Sequence, residues 1–215
     1  MNTNKIRIKI CGITGKEDAL LAAKLGAWAV GFIFVKNTPR YISPEKAAEI
    51  IKNLPANLVK IGVFANESAE DIKTTVIEAG ITKIQLHGDE SPQFCKNLAE
   101  ITGKEIIKAI KIKSIENIEI ISRYKDKVSF ILLDSYCEEQ LGGTGKVFDW
   151  EIAKKANEQG IPVILAGGLN SDNAKQAYEF VKPYALDISS GVEKDKGIKD
   201  AEKLKTLFSV FYGKS

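Results

Sequence analysis

A β-rich run followed by an amphipathic helical stretch recurs along the chain, and this alternation constrains the fold more than any other feature. Strands are predicted near 5–10, 28–34, 58–64, 83–86, 105–110, 128–133, 161–165 and 185–188. Helical patterns fill the intervals. "GKEDALLAAKLGA" has Ala and Leu at helical spacing with acids in its first turn, and "SPEKAAEIIKNL" opens with a Ser cap and a Pro at the first helical position. "SAEDIKTTVIEAG" closes on Gly80 and "SPQFCKNLAEITG" on Gly103, the residue type that ends helices. Later helices are predicted from Ile115, Asp149, Ser171 and Asp200. Such alternation argues for βαβ units and a parallel sheet. Near-continuous apolar runs such as "FILL" and "PVILA" suit strands covered on both faces. Eight units in 215 residues match a single-domain (β/α)8 TIM barrel spanning 1–215. An open doubly wound sheet fits less well, because the first turn lacks G-x-G-x-x-G.

Composition narrows the partners. Hydrophobic content is 44% and charged content 27%, enough for an ordinary globular core. The net charge of +3 is spread in short mixed runs, so no basic block invites nucleic acid. The cysteines, Cys11, Cys95 and Cys137, lie far apart with no CxxC spacing, which suits a reducing compartment rather than a disulfide framework. No signal-peptide h-region and no bilayer-length apolar run is seen. The expectation is a soluble cytoplasmic protein with a small-molecule substrate, as a monomer or homodimer.

In such a barrel the active site lies at the C-terminal ends of the strands. Ionisable residues gather there. Cys11 follows the first predicted strand, Arg40 lies in the loop after the second, His87 tips the fourth, Asp134 tips the sixth, and the eighth carries Asp187. Each has a structural explanation when taken alone. Cys11 could be a small buried hydrophobe, Asp134 a turn cap, and His87 a satisfied loop histidine. Taken together they are harder to explain that way. Glycine clusters follow the last three strands: "GGTG" with Gly143 and Gly145, "AGGLN" with Gly167 and Gly168, and "SSGVE" with Ser190 and Gly191. Glycines let backbone N–H groups approach an anion. Barrels often build a phosphate site from the loops after strands 7 and 8. "GGTGK" lacks Walker A spacing. His87 is the one histidine in the chain, which argues against a metal-dependent epimerase.

Seven motifs, in order, carry a family resemblance. "KICGIT" at 9–14, "GFIFVKNTPRYIS" at 31–43, "IGVFAN" at 61–66, "IQLHGDE" at 84–90, "LLDS…GGTGKVFDW" at 132–150, "AGGLN" at 166–170 and "DISSGVE" at 187–193 span nearly the whole chain. Together they resemble the phosphoribosylanthranilate isomerases of tryptophan biosynthesis. The resemblance implies a cofactor-free Amadori rearrangement with Cys11 as general base and Asp134 as general acid. Arg40 would meet the anthranilate carboxylate, its planar fork matching a planar anion. The glycine loops would hold the phosphate. His87 and Asp187 would either contact substrate or order the loops. A free thiol near 8.5 needs only a modest shift to act as a base near neutral pH. A related isomerase of histidine biosynthesis would carry Asp where this chain has Cys11. A non-catalytic phosphate-binding barrel would need neither Cys11 nor Asp134.

Overall fold

Alternation along a strand sends every second side chain to the opposite face. The eight strands use it to separate an inner layer from one facing the helices. The computed structural model describes residues 5–112, 118–135 and 150–213. The strands are β1 (Ile8–Cys11), β2 (Ala29–Ile33), β3 (Val59–Phe64), β4 (Lys83–Leu86), β5 (Glu105–Ile112), β6 (Phe130–Ser135), β7 (Val163–Leu165) and β8 (Ala185–Ile188). Each pairs in parallel with the next, and β8 returns to β1, closing a (β/α)8 TIM barrel. The helices between and after them are α1 (Lys16–Leu25), α2 (Pro44–Ile51), α3 (Ala69–Ala79), α4 (Pro92–Thr102), α5 (Ile118–Arg123), α6 (Trp150–Asn157), α7 (Ala174–Val181) and α8 (Ala201–Tyr212). Among the described residues no helix is long and apolar enough to cross a membrane.

Local chemistry accounts for the helix starts. Ser43, Ser68 and Ser91 accept hydrogen bonds from the backbone N–H of Lys46, Asp71 and Phe94. Pro44 and Pro92 follow two of these caps, where their missing N–H costs nothing. Asp200 caps α8 through the N–H groups of Glu202 and Lys203. α7 starts at Ala174 rather than at Ser171 as expected. Asn170 and Asn173 satisfy the intervening backbone through a side-chain turn, with Asn170 N–H donating to Asn173 Oδ1.

Several strand ends also differ from expectation. β1 runs on to Cys11, whose register partner is Gly31, so the cysteine belongs to the barrel wall. β6 runs on through Asp134, paired with Lys111. β7 starts at Val163 because Pro162 has no N–H to donate to the ladder. A small antiparallel hairpin follows the eighth strand, β9 (Glu193–Asp195) with β10 (Ile198–Lys199). The predicted starts at Ile115 and Asp149 lie outside the described residues.

Two apolar layers result. Ile8, Ile10, Phe32 and Leu86 face the helices, while Ile61, Ile107, Leu132 and Ile164 fill the barrel interior. Full burial of such a side chain stabilises by about 1.5–3 kcal/mol. At the N-terminal end Tyr184 packs on Phe130 at 4.8 Å and on Trp28 at 5.6 Å, with Arg7 stacked on its ring. Apolar and aromatic side chains therefore fill the body and base of the barrel. Its cleft lies at the C-terminal mouth.

Candidate active site

The inward face of β1 carries Lys9 and Cys11, since residues two apart share a face. By the same rule Gln85 and His87 come inward from β4 and the residue just after it, and Leu132 and Asp134 from β6. At the mouth all of these positions except Lys9 border a cleft of about 460 Å³. Cys11, Arg40, His87, Asp134, Gly167, Gly168, Asp187 and Ser190 all line it. The structure thus gathers eight sequence-predicted positions in one place. Gly191 does not line the cleft. A Cβ there would run into the carbonyl oxygen of Leu169, so its bare backbone lets the loop after β8 pack on the loop after β7. Gly167 and Gly168 both adopt left-handed backbone, φ 89° and 63°, turning that loop at the cleft edge. Gly143 and Gly145 lie outside the described residues, as does Cys137.

Cys11 is 6% exposed. Burial pushes its thiol above the usual range, against the pull of the Lys9 and Lys199 ammonium groups, and the Asp187 carboxylate pushes it the same way as burial. This corrects the expectation of a thiol shifted toward neutrality. The site is drier and closer to a carboxylate than a strand-end position suggests. Gly31 beside it has no room for a side chain, because a Cβ there would stand 2.9 Å from Cys11 Sγ.

Lys9 is fully buried, with its ammonium donating to Asp187 Oδ2 at 2.7 Å and to Gln85 Oε1 at 2.9 Å. Burial alone would lower its pKa, but Asp187 and Cys11 more than offset this and raise it. The pair follows from register, since Lys9 and Asp187 are direct partners across β1 and β8. The other oxygen, Asp187 Oδ1, has no hydrogen-bond partner among the described residues. His87 presents Nδ1 to Gln85 Nε2 at 3.2 Å and Nε2 to Asp134 Oδ2 at 3.3 Å.

Arg40 reaches the cleft edge already engaged. Its Nε and Nη2 donate to the two oxygens of Glu193 at 2.8 and 2.7 Å. Lys199 donates to the same carboxylate at 2.9 Å and to the carbonyl of Cys11 at 2.5 Å. Burial would raise Glu193, yet the two cations overcome it and hold the carboxyl at about 2. The Glu193 contact occupies one edge of the guanidinium and leaves Nη1 on another.

The sequence reading missed four of these groups. Lys9 and Gln85 sit two residues before Cys11 and His87, and inward alternation was the available signal. Glu193 and Lys199 meet through the hairpin, whose cue is the polar, glycine-containing "KDKGIK". Among the described residues no three His, Cys, Asp or Glu side chains converge as metal ligands.

A closed parallel barrel whose strand ends place a thiol, a carboxylate and an imidazole around one cleft defines a TIM-barrel protein with titratable groups at its mouth. The family model for N-(5'-phosphoribosyl)anthranilate (PRA) isomerase matches residues 8–210. The chain belongs to this family of tryptophan-biosynthetic isomerases. It is 46% identical over 204 residues to the N-(5'-phosphoribosyl)anthranilate isomerase of Nostoc punctiforme, covering 94% of this chain and 97% of the relative. Its fold is similar to the crystal structure of the phosphoribosyl anthranilate isomerase of Thermotoga maritima. The TM-score there is 0.89 at 39% identity, covering 97% of this chain and 99% of the other. A family structure in complex with reduced 1-(o-carboxyphenylamino)-1-deoxyribulose 5-phosphate superposes with a TM-score of 0.86 at 36% identity, covering 97% and 99%.

Proposed function

We propose that this isomerase converts N-(5-phosphoribosyl)anthranilate to 1-(2-carboxyphenylamino)-1-deoxyribulose 5-phosphate by general acid–base catalysis. The observation that carries the reading is the placement of Cys11 and Asp134 on β1 and β6, facing one cleft from different sides of the mouth. Asp134 gives a proton to the furanose ring oxygen, and the ring opens to an iminium at C1. The Cys11 thiolate removes the proton from C2, forming an enaminol. The enaminol becomes the ketone as its hydroxyl loses a proton and C1 gains one. C2 is oxidised and C1 reduced within one molecule, so no external electron acceptor enters the balance. Lys9, next to Cys11, is the cation that stabilises the thiolate once formed.

The remaining groups suit the substrate's anions and hydroxyls. The substrate carboxylate meets Arg40 on the nitrogen that Glu193 leaves free, and Glu193 holds the guanidinium in place. The phosphate sits against the loops carrying Gly167, Gly168 and Ser190. Asp187 Oδ1, buried and unpartnered, calls for a donor, and a sugar hydroxyl supplies one. A soluble cytoplasmic enzyme acting as a monomer or homodimer fits this role. A related protein of the same fold is described as a dimeric isomerase. The test is turnover by the purified protein on substrate generated in situ, with a chelator present. Loss of turnover on chelation, restored by a divalent metal, overturns the cofactor-free mechanism. Tight binding of product without turnover favours a binding barrel instead.

A further inference from the structure

We propose that Gln85 is a positioning residue that fixes His87 as its Nε2–H tautomer, which places the protonated ring nitrogen beside Asp134. The argument is one of donor and acceptor bookkeeping. The Lys9 ammonium has donors only. It lies 2.9 Å from one end of the Gln85 amide, so that end is the carbonyl oxygen. The other end is the NH2, again donors only, and it faces His87 Nδ1 at 3.2 Å. Nδ1 must accept. The single proton of the neutral ring is then on Nε2, which stands 3.3 Å from Asp134 Oδ2. Asp187 holds Lys9 from the neighbouring strand at 2.7 Å, so the sense of every contact follows from one buried cation. The tautomer is assigned from these contacts, since hydrogens and amide orientation are inferred from such networks.

The chain of contacts begins beside Cys11 and ends on Asp134, the two groups assigned as base and acid. The catalytic consequence rests on that assignment; the tautomer does not. With Nε2 already protonated, the ring cannot take up the Asp134 proton at the nitrogen that stands 3.3 Å from Oδ2.

His87 is the one histidine of the chain, so tag-free protein has one imidazole to observe. Two-bond 1H–15N correlation spectra, recorded where the ring is neutral, separate the two tautomers. The wild type is expected to show Nε2–H. In Gln85→Glu a carboxylate replaces the NH2 and can only accept from the ring, so the proton is expected to move to Nδ1. In Gln85→Leu the preference is expected to give way to a mixture, and this neutral variant serves if the glutamate does not fold. Gln85→Glu should also lower kcat about tenfold or more with KM within about twofold, a partial loss beside the 10²–10⁴ of a whole acid–base group. An Nδ1–H wild type, or a tautomer indifferent to both substitutions, overturns the proposal. If the tautomer responds but Asp134→Asn retains turnover, the acid assignment falls and the role of Gln85 stands. If Asp134→Asn abolishes turnover and the tautomer ignores residue 85, the reverse holds.

Discussion

At the scale of single residues, the decisive quantity is the protonation of Cys11. Its pKa lies above that of an ordinary thiol, raised by burial against the pull of Lys9 and Lys199. If the thiolate is the base, the active form accumulates as pH rises. The kcat/KM of the free enzyme should therefore climb on the alkaline side, in a pH profile where a lowered thiol would have given a plateau. Cys11→Ser should remove that limb and cut kcat by at least about a hundredfold, and Asp134→Asn should cut it comparably, with KM little changed in both. Near-full kcat in a folded Cys11→Ser protein would return Cys11 to a packing role. Cys95→Ser should stay active, since that thiol sits on the buried face of α4, outside the cleft lining, and burial pushes it up to about 11. Arg40→Ala should act on KM rather than kcat, because its proposed contact with the substrate carboxylate would exist in both ground and transition states. Losing a charged hydrogen bond costs about 1.5–3 kcal/mol, so steady-state kinetics should show KM rising by at least about tenfold.

At the scale of elements, the barrel was readable because its period is redundant. Eight repeats of a strand cue and a helix cue all point to one topology, and the fold's rule then puts the site at the strand ends. Lys9 and Gln85 were not readable for the converse reason. In strands covered on both faces a buried polar residue marks no boundary, and its partners lie 178 and 76 positions away. The Arg40–Glu193 pair spans 153 positions, so its cue in the sequence is separated from its effect. Gly31 is of the same kind. It reads as an ordinary strand glycine, yet it is the space into which Cys11 fits. Gly31→Ala should disturb the Cys11 side chain more than the sheet. The expected outcome is a several-fold fall in kcat with a loss of stability on the order of 1–3 kcal/mol, the cost of overpacking, measured by urea unfolding alongside turnover.

At the scale of the whole molecule, Glu193 ties three distant parts together: the loop after β2, the hairpin after β8 and, through Lys199, the end of β1. Its carboxyl ionises near 2 in the folded protein against 4.5 ordinarily. The unfolded chain therefore binds a proton over this window while the folded one does not, so stability rises with pH there. The contribution is fully present above about 4.5 and is lost as pH falls toward 2. Glu193→Gln should flatten that part of the acid-unfolding curve, and an unchanged slope would count against the pairing. The packed base of the barrel, where Tyr184 meets Phe130 and Trp28, has a consequence for traffic. Among the described residues the filled body leaves the mouth as the way into the barrel. Substrate enters and product departs by the same route, and under the proposed binding mode the product keeps the phosphate and carboxylate by which the substrate would be held. The two should exclude one another, so added product should raise the apparent KM without altering kcat, and the enzyme's throughput should depend on how quickly the next step of the pathway clears the entrance.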